Sequence, residues 1–266
     1  MSKDFSYHIK TILELAKETF QENQSLNKEI GIINVKGDEV LAMDKKMESV
    51  IIDYLRKEKL PVSIFSEEIG FLELHNNPTH LVVFDPLDGS TNYQIGQNLM
   101  PYGLMIAVYE GSTPKLSDIK ASGMYEVTSK RGFIFDGSTT RNLEGVQISV
   151  NRQWGISAKT PVHFDLYYKE AVQKFGSLAQ NVHLKWGGSN ISSLLYVLSE
   201  IGAVMGSVKM RPEEIGAVAS LINGANGIVV DLKGNNLMNY SFGVDSIYPF
   251  IAGNKEIVRY LIKEIN

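Results

Sequence analysis

The chain contains no cysteine in 266 residues. That single absence excludes disulfides, thiolate zinc sites, iron–sulfur ligation and cysteine nucleophiles. A surplus of positive charge is also missing, because 26 Lys and Arg stand against 30 Asp and Glu for a net charge of −4. A nucleic-acid binder that relies on bulk positive charge is therefore not expected. No apolar run approaches the ~20 residues of a membrane span. The opening Met1-Ser2-Lys3-Asp4-Phe5 lacks the apolar core of a secretory signal. The 5 histidines are scattered without metal-ligand spacing, and no internal repeat or low-complexity tract stands out. The expectation is a soluble, cytoplasmic globular protein with no membrane or nucleic-acid partner. At roughly 150 residues per domain it has about two domains, or one large one.

Hydrophobic spacing supplies the elements. Phe5, Ile9, Ile12, Leu13, Ala16 and Phe20 form one stripe of a helix, and Met43, Met47, Val50, Ile51, Tyr54 and Leu55 form another. Between them, Gly31 to Val40 reads as a loop or weak hairpin turning at Lys36-Gly37-Asp38. Short strands are predicted at 61–65, 81–84, 104–109, 122–127 and 133–135, giving an antiparallel sheet on the two helices. Beyond about residue 145 the rhythm alternates. Strands are predicted at 146–150, 161–164, 181–185, 203–208, 227–230 and 247–252, with helices at 165–175, 189–201, 213–223 and 255–264. Asn254 is placed to cap the last helix. Alternating strands and helices imply a sheet covered by helices. The expected division is an N-terminal α+β metal-binding lobe, 1–145, and a C-terminal α/β substrate lobe, 146–266.

Two predicted strands end in acid. Glu67 and Glu68 follow Ile64-Phe65, and Asp85 and Asp88 follow Val82-Val83-Phe84. Either pair alone reads as a solvated turn. If the strands are neighbours, the carboxylates converge and repel unless a cation sits among them. Oxygen ligands without cysteine point to Mg²⁺, Mn²⁺ or Ca²⁺. In Asp85-Pro86-Leu87-Asp88-Gly89-Ser90-Thr91-Asn92, Pro86 fixes φ and removes a donor. The two aspartates then flank one turn, with the Leu87 carbonyl on the same side. Gly89 permits a tight backbone that aims the N–H groups of Gly89 and Ser90 at an anion. A metal site beside an anion site suits phosphate-ester hydrolysis.

The eight residues Asp85 to Asn92 resemble the D-P-[IL]-D-G-[ST]-[TS]-N signature of the inositol monophosphatase / fructose-1,6-bisphosphatase superfamily. Ser66-Glu67-Glu68, Lys36-Gly37-Asp38, Met43 to Glu48, Gly187-Gly188-Ser189, Arg211 to Ala217 and Ala225-Asn226-Gly227 match its other elements in order. The resemblance includes archaeal members with both activities. It implies a layered αβαβα sandwich and a Mg²⁺-dependent, lithium-sensitive phosphomonoesterase with two to three ions, Mn²⁺ being the alternative. A metal-activated water would attack phosphorus in line, without a phosphoenzyme.

Carried over by position, Glu67, Asp85, the Leu87 carbonyl, Asp88 and Glu214 are the implied metal ligands, with Glu213 the competitor of Glu214. Gly89 and Ser90 are implied to bind phosphate. Asp44 would orient Ser90 or Thr91, or hold a weaker third ion; Glu68 is the alternative orienter, and Asp38 is either a third-site residue or a turn aspartate. Gly188 and Ser189 fall near the sugar or inositol ring. Inositol monophosphatases carry a carboxylate for inositol hydroxyls where this chain has Ser207. Arg211 is read as a holder of a second phosphate or as a surface cation, and Lys209 likewise. A homodimer is expected by analogy. The competing functions are a 3′(2′),5′-bisphosphate nucleotidase of the same superfamily and a non-catalytic metal-binding module.

Overall fold

Both predicted N-terminal stripes are buried as helices against one sheet. The computed structural model describes residues 4–23, 25–96 and 98–266; the first three residues of the opening segment lie outside them. In chain order the first elements are α1 (Phe5–Glu22), β1 (Glu29–Ile33), β2 (Glu39–Leu41), α2 (Ala42–Lys57), β3 (Val62–Ser66), β4 (Gly70–Glu73), β5 (His80–Asp88) and α3 (Ser90–Ile95). Then come β6 (Gly103–Glu110), β7 (Ile119–Glu126), β8 (Arg131–Phe135), β9 (Thr140–Asn142), β10 (Pro161–Phe164), α4 (Lys169–Phe175) and β11 (His183–Lys185). The chain closes with α5 (Asn190–Leu198), β12 (Val204–Met210), α6 (Pro212–Gly224), β13 (Ile228–Val230), β14 (Tyr248–Gly253) and α7 (Lys255–Ile265).

The first sheet runs β4-β3-β5-β6-β7-β8-β9 and the second β11-β10-β12-β14-β13. The first is antiparallel except where β3 runs parallel to β5; the second is mixed. Three apolar layers join them into an αβαβα sandwich. Leu13, Met47, Ile64 and Phe84 fill the space under α1 and α2. Val83, Met105, Leu194, Ile215 and Phe250 pack between the sheets, where α5 and α6 lie. Phe164, Phe175, Val204 and Leu261 seal α4 and α7 onto the outer face. The Asn254 side chain accepts from the Glu256 and Ile257 N–H groups and caps α7 as expected.

Two local expectations differ. Segment 146–150 is not a strand: Gln147 makes one isolated bridge to Arg141, while Ile148 N–H and Val150 N–H donate to Thr140 and Ala225 carbonyls. Its alternating Ile148 and Val150 mark contact with the core between the sheets, not a ladder. The helix expected from 165 starts at Lys169, because Asp165 Oδ1 accepts from Tyr167 N–H at 3.1 Å and forms a turn. The hairpin at 31–40 is present, with Gly37 at φ +94° and the Asn34 side chain accepting from Lys36 and Asp38 N–H. Among the described residues no helix is long and apolar enough to cross a membrane.

Candidate active site

The position of the acidic groups follows from strand register. β3 and β5 are parallel, with Ser66 opposite Phe84, so Glu67 emerges beside Asp85. Along β5, Val82 and Phe84 face α1 and α2, whereas Leu81 and Val83 face the layer between the sheets. Uninterrupted alternation would put Asp85 and Asp88 on opposite faces. The ladder instead pairs Asp85 with Met105 and Asp88 with Gly103, a bulge at Pro86-Leu87. One extra residue flips the facing, so Leu87 returns to the α1/α2 side with Phe84 and Asp88 joins Asp85. Proline supports the break, having no N–H to give the ladder.

Two helix N-termini meet these aspartates. Asp88 Oδ2 accepts from Ile191 N–H in the first turn of α5. Glu214, in the first turn of α6, accepts from Asn190 Nδ2 at 2.7 Å. Oxygens of Asp85, Asp88 and Glu214 all lie within 4.8 Å of one another, and all three residues are buried. Burial is the largest influence raising the three carboxyls, followed for Asp85 by the charges of Glu67, Asp88 and Glu214. Asp88 is held to about 6 because N–H groups of Ile191 and Asn190 stabilise its charge. Burial and neighbouring carboxylates lift Glu67 and Glu68 to about 8. One buried Glu68 oxygen has no hydrogen-bond partner among the described residues. Such a set of hard, mutually repelling oxygen donors fits a divalent cation.

The cluster forms the floor of a cavity of about 380 Å³. Of the residues singled out from the sequence, Asp44, Glu67, Glu68, Asp85, Leu87, Asp88, Gly89, Ser90, Thr91, Gly188, Ser189, Lys209, Arg211 and Glu214 line it. Asp38 is at the same cavity, whereas Glu213 points toward Lys36, whose Nζ is 3.8 Å away. Gly89 has φ +84°, and a Cβ there would come within 3.0 Å of the Pro101 carbonyl and 3.1 Å of Ser189 Cβ. The motif is tied across the cleft by Asn92 Nδ2, which donates to Pro101 and Gly187 carbonyls. Ser189 caps α5 by accepting from Ser192 N–H.

Two partners differ from expectation. Asp44 Oδ2 accepts from Leu41 N–H at 2.8 Å, and no hydrogen bond joins it to Ser90 or Thr91 among the described residues. Burial raises this carboxyl to about 7. Arg211 does not stand free for a phosphate: its guanidinium pairs with Glu67 and, at 3.1 Å, with Asp38. Lys209 lies 3.9 Å from Glu170 with its ammonium 4.6 Å from the Tyr168 ring centroid. Sequence reasoning missed Asn190, Asp165, Tyr167, Tyr168 and Trp186, which complete the wall. Asn190 directly follows the noted Gly187-Gly188-Ser189; the others carry no local signal, because the sheet order alone brings them here.

The sequence and the fold resemble those of known proteins. The sequence model of the inositol monophosphatase family matches residues 4–265. The chain is 29% identical over 235 residues to the Nus factor SuhB of Escherichia coli strain K12, covering 85% of this chain and 81% of that one. It is 28% identical over 229 residues to the fructose-1,6-bisphosphatase of Pyrococcus furiosus, covering 84% and 82%. Its fold matches the crystal structure of the extragenic suppressor protein suhB from Bartonella henselae at a TM-score of 0.79 and 18% identity, over 96% of each chain.

Proposed function

Because the chain belongs to the inositol monophosphatase family, we propose that it is a Mg²⁺-dependent phosphomonoester hydrolase acting on inositol 1-phosphate, fructose 1,6-bisphosphate or both. The buried convergence of Asp85, Asp88 and Glu214 carries this reading. With Glu67 and the Leu87 carbonyl, these residues would hold two to three divalent ions, which neutralise phosphoryl oxygens and activate the attacking water.

The chain's own groups supply the rest. Gly89 and Ser90, at the turn into α3, offer N–H groups to the phosphate, and the exposed Ser90 and Thr91 hydroxyls sit beside them. Glu68, at the cavity wall with one oxygen unpartnered among the described residues, is placed to orient the attacking water. Asp44 holds the start of α2 through Leu41 and so fixes the wall opposite. The alcohol part of the ester extends toward Gly188, Ser189 and the aromatic wall. A homodimer is part of the reading and is checked by sedimentation velocity.

The test is phosphate release from inositol 1-phosphate, fructose 1,6-bisphosphate and 3′-phosphoadenosine 5′-phosphate, each with Mg²⁺ and with EDTA. Mg²⁺-dependent release from either of the first two, with ¹⁸O from labelled water in the phosphate, is the expected outcome. Release from the nucleotide alone selects the nucleotidase, and no release from any selects a binding module.

A further inference from the structure

The cavity is also lined by Asp165, Tyr168, Trp186, Gly188, Lys209 and Arg211. Its two cations are already committed, Arg211 to Glu67 and Asp38, Lys209 to Glu170. Asp165 is different. It follows β10, whose Phe164 pairs with Gly206 of the parallel β12, and its N–H donates to the Gly206 carbonyl at 2.9 Å. Oδ1 accepts from Tyr167 N–H at 3.1 Å, and Oδ2 accepts from Ser207 Oγ at 3.1 Å. Ser207 is fully buried, and its Oγ is itself pinned by Lys209 N–H at 3.0 Å. The carboxylate is thus held at both oxygens, yet each oxygen keeps a lone pair, and Asp165 is only half-buried at the cavity wall.

We propose that Asp165, oriented by Ser207, is the residue that reads the hydroxyl groups of the substrate's alcohol. A fixed carboxylate accepts strongly from O–H donors and repels an anionic group, while the flanking Tyr168 and Trp186 rings offer apolar faces to a ring's C–H groups. The arrangement selects a polyhydroxyl leaving group. It supplies, from the turn after β10, a carboxylate beside the serine at position 207 of β12. Ser207 is a positioning residue: it acts through Asp165.

This inference rests on the phosphatase reading, and the experiment separates the two. Steady-state kinetics of Asp165→Ala, Asp165→Asn and Ser207→Ala are compared on inositol 1-phosphate and on p-nitrophenyl phosphate, an ester without ring hydroxyls. Asp165→Ala is expected to lower kcat/KM for inositol 1-phosphate about 10- to 100-fold, the loss of a hydrogen bond to a charged acceptor, chiefly through KM. p-Nitrophenyl phosphate is expected to change less than twofold. Asp165→Asn, which keeps the shape and one of the two acceptor oxygens, guards against misfolding and is expected to fall between wild type and Asp165→Ala. Ser207→Ala is expected to raise KM for inositol 1-phosphate with kcat kept, and to have no further effect in the Asp165→Ala background. Equal losses on both esters, or none on either, overturn the assignment of Asp165 while leaving the phosphatase reading intact. A wild-type chain that releases no phosphate from these esters or from fructose 1,6-bisphosphate overturns the phosphatase reading and this inference with it, and one active on fructose 1,6-bisphosphate but not on inositol 1-phosphate overturns this inference alone.

Discussion

Arg211 sits where a cation is needed, and its removal is expected to tighten metal binding. Its guanidinium pairs with Glu67, whose side chain is 13% exposed, while its own is 32% exposed. Asp38, 58% exposed, holds its other edge. An ion that takes the same Glu67 oxygen competes with this pair. An exposed pair is worth at most about 1 kcal/mol, whereas breaking a buried pair costs about 3–5 kcal/mol. A half-buried one lies between them, at about 2 kcal/mol. Converted at 1.4 kcal/mol per tenfold, that is a roughly 30-fold change in affinity. Arg211→Met, which keeps the length and loses the charge, is therefore expected to bind Mn²⁺ about 30-fold more tightly in electron paramagnetic resonance titrations without substrate. In the Glu67→Gln background the same substitution is expected to change little, because the contested ligand is gone. Unchanged or weaker binding in Arg211→Met would refute the reasoning, since the pair would then not compete with the ion.

The same residue is expected to discriminate substrates: released from Glu67, Arg211 can hold a distant phosphate by a bidentate contact. Arg211→Ala should therefore raise KM for fructose 1,6-bisphosphate much more than for inositol 1-phosphate, and equal losses would count against it. Stability in EDTA is expected to fall as pH rises. Asp88 and Asp44 are lifted from 3.8 to about 6 and about 7. Between pH 4 and those values the folded chain keeps protons that the unfolded chain has released. Their contribution is whole below about pH 4 and declines by about 1.4 kcal/mol per pH unit for each group up to its folded value. Urea melts at pH 5 and pH 8 check this, with Mg²⁺ expected to flatten the slope; greater metal-free stability at pH 8 would contradict it. Gly103→Ala is expected to lower both the melting temperature and Mn²⁺ affinity. A Cβ there would overlap the Tyr125 carbonyl of β7 and displace Gly103, the β6 residue that pairs with Asp88. An unperturbed melt would disprove that packing argument.

Much of this site was legible in order along the chain, because its chemistry is written in short contiguous patterns. Asp85 to Asn92 combines acids, a proline and a glycine that read as a turn beyond a strand at 81–84; the structure carries β5 through Asp88 with a bulge and puts Gly89 in the left-handed region. Glu67 and Glu68 terminate an apolar strand, and the α1 and α2 stripes show which faces are buried. The limits are equally physical. The alternation at 146–150 is that of a strand, yet its backbone bonds go to Thr140 and Ala225, so alternation there records burial alone. Asp44 is expected from its position to orient Ser90 or Thr91 or to hold a third ion, and the structure adds a partner that spacing does not suggest, the Leu41 N–H at the start of α2.

The sequence by itself determined the family-like order of motifs, the helix faces, the strand ends and the oxygen-only donor set, since these depend on residue type and near-neighbour spacing. Tertiary structure alone decided which acids meet. The parallel pairing of β3 with β5 set Glu67 beside Asp85, and the α6 N-terminus brought Glu214 rather than Glu213 to the two aspartates. The Arg211–Glu67 pair spans 144 positions and the Ser207–Asp165 bond spans 42. Contacts at such separations follow from sheet order, which no local window of sequence contains.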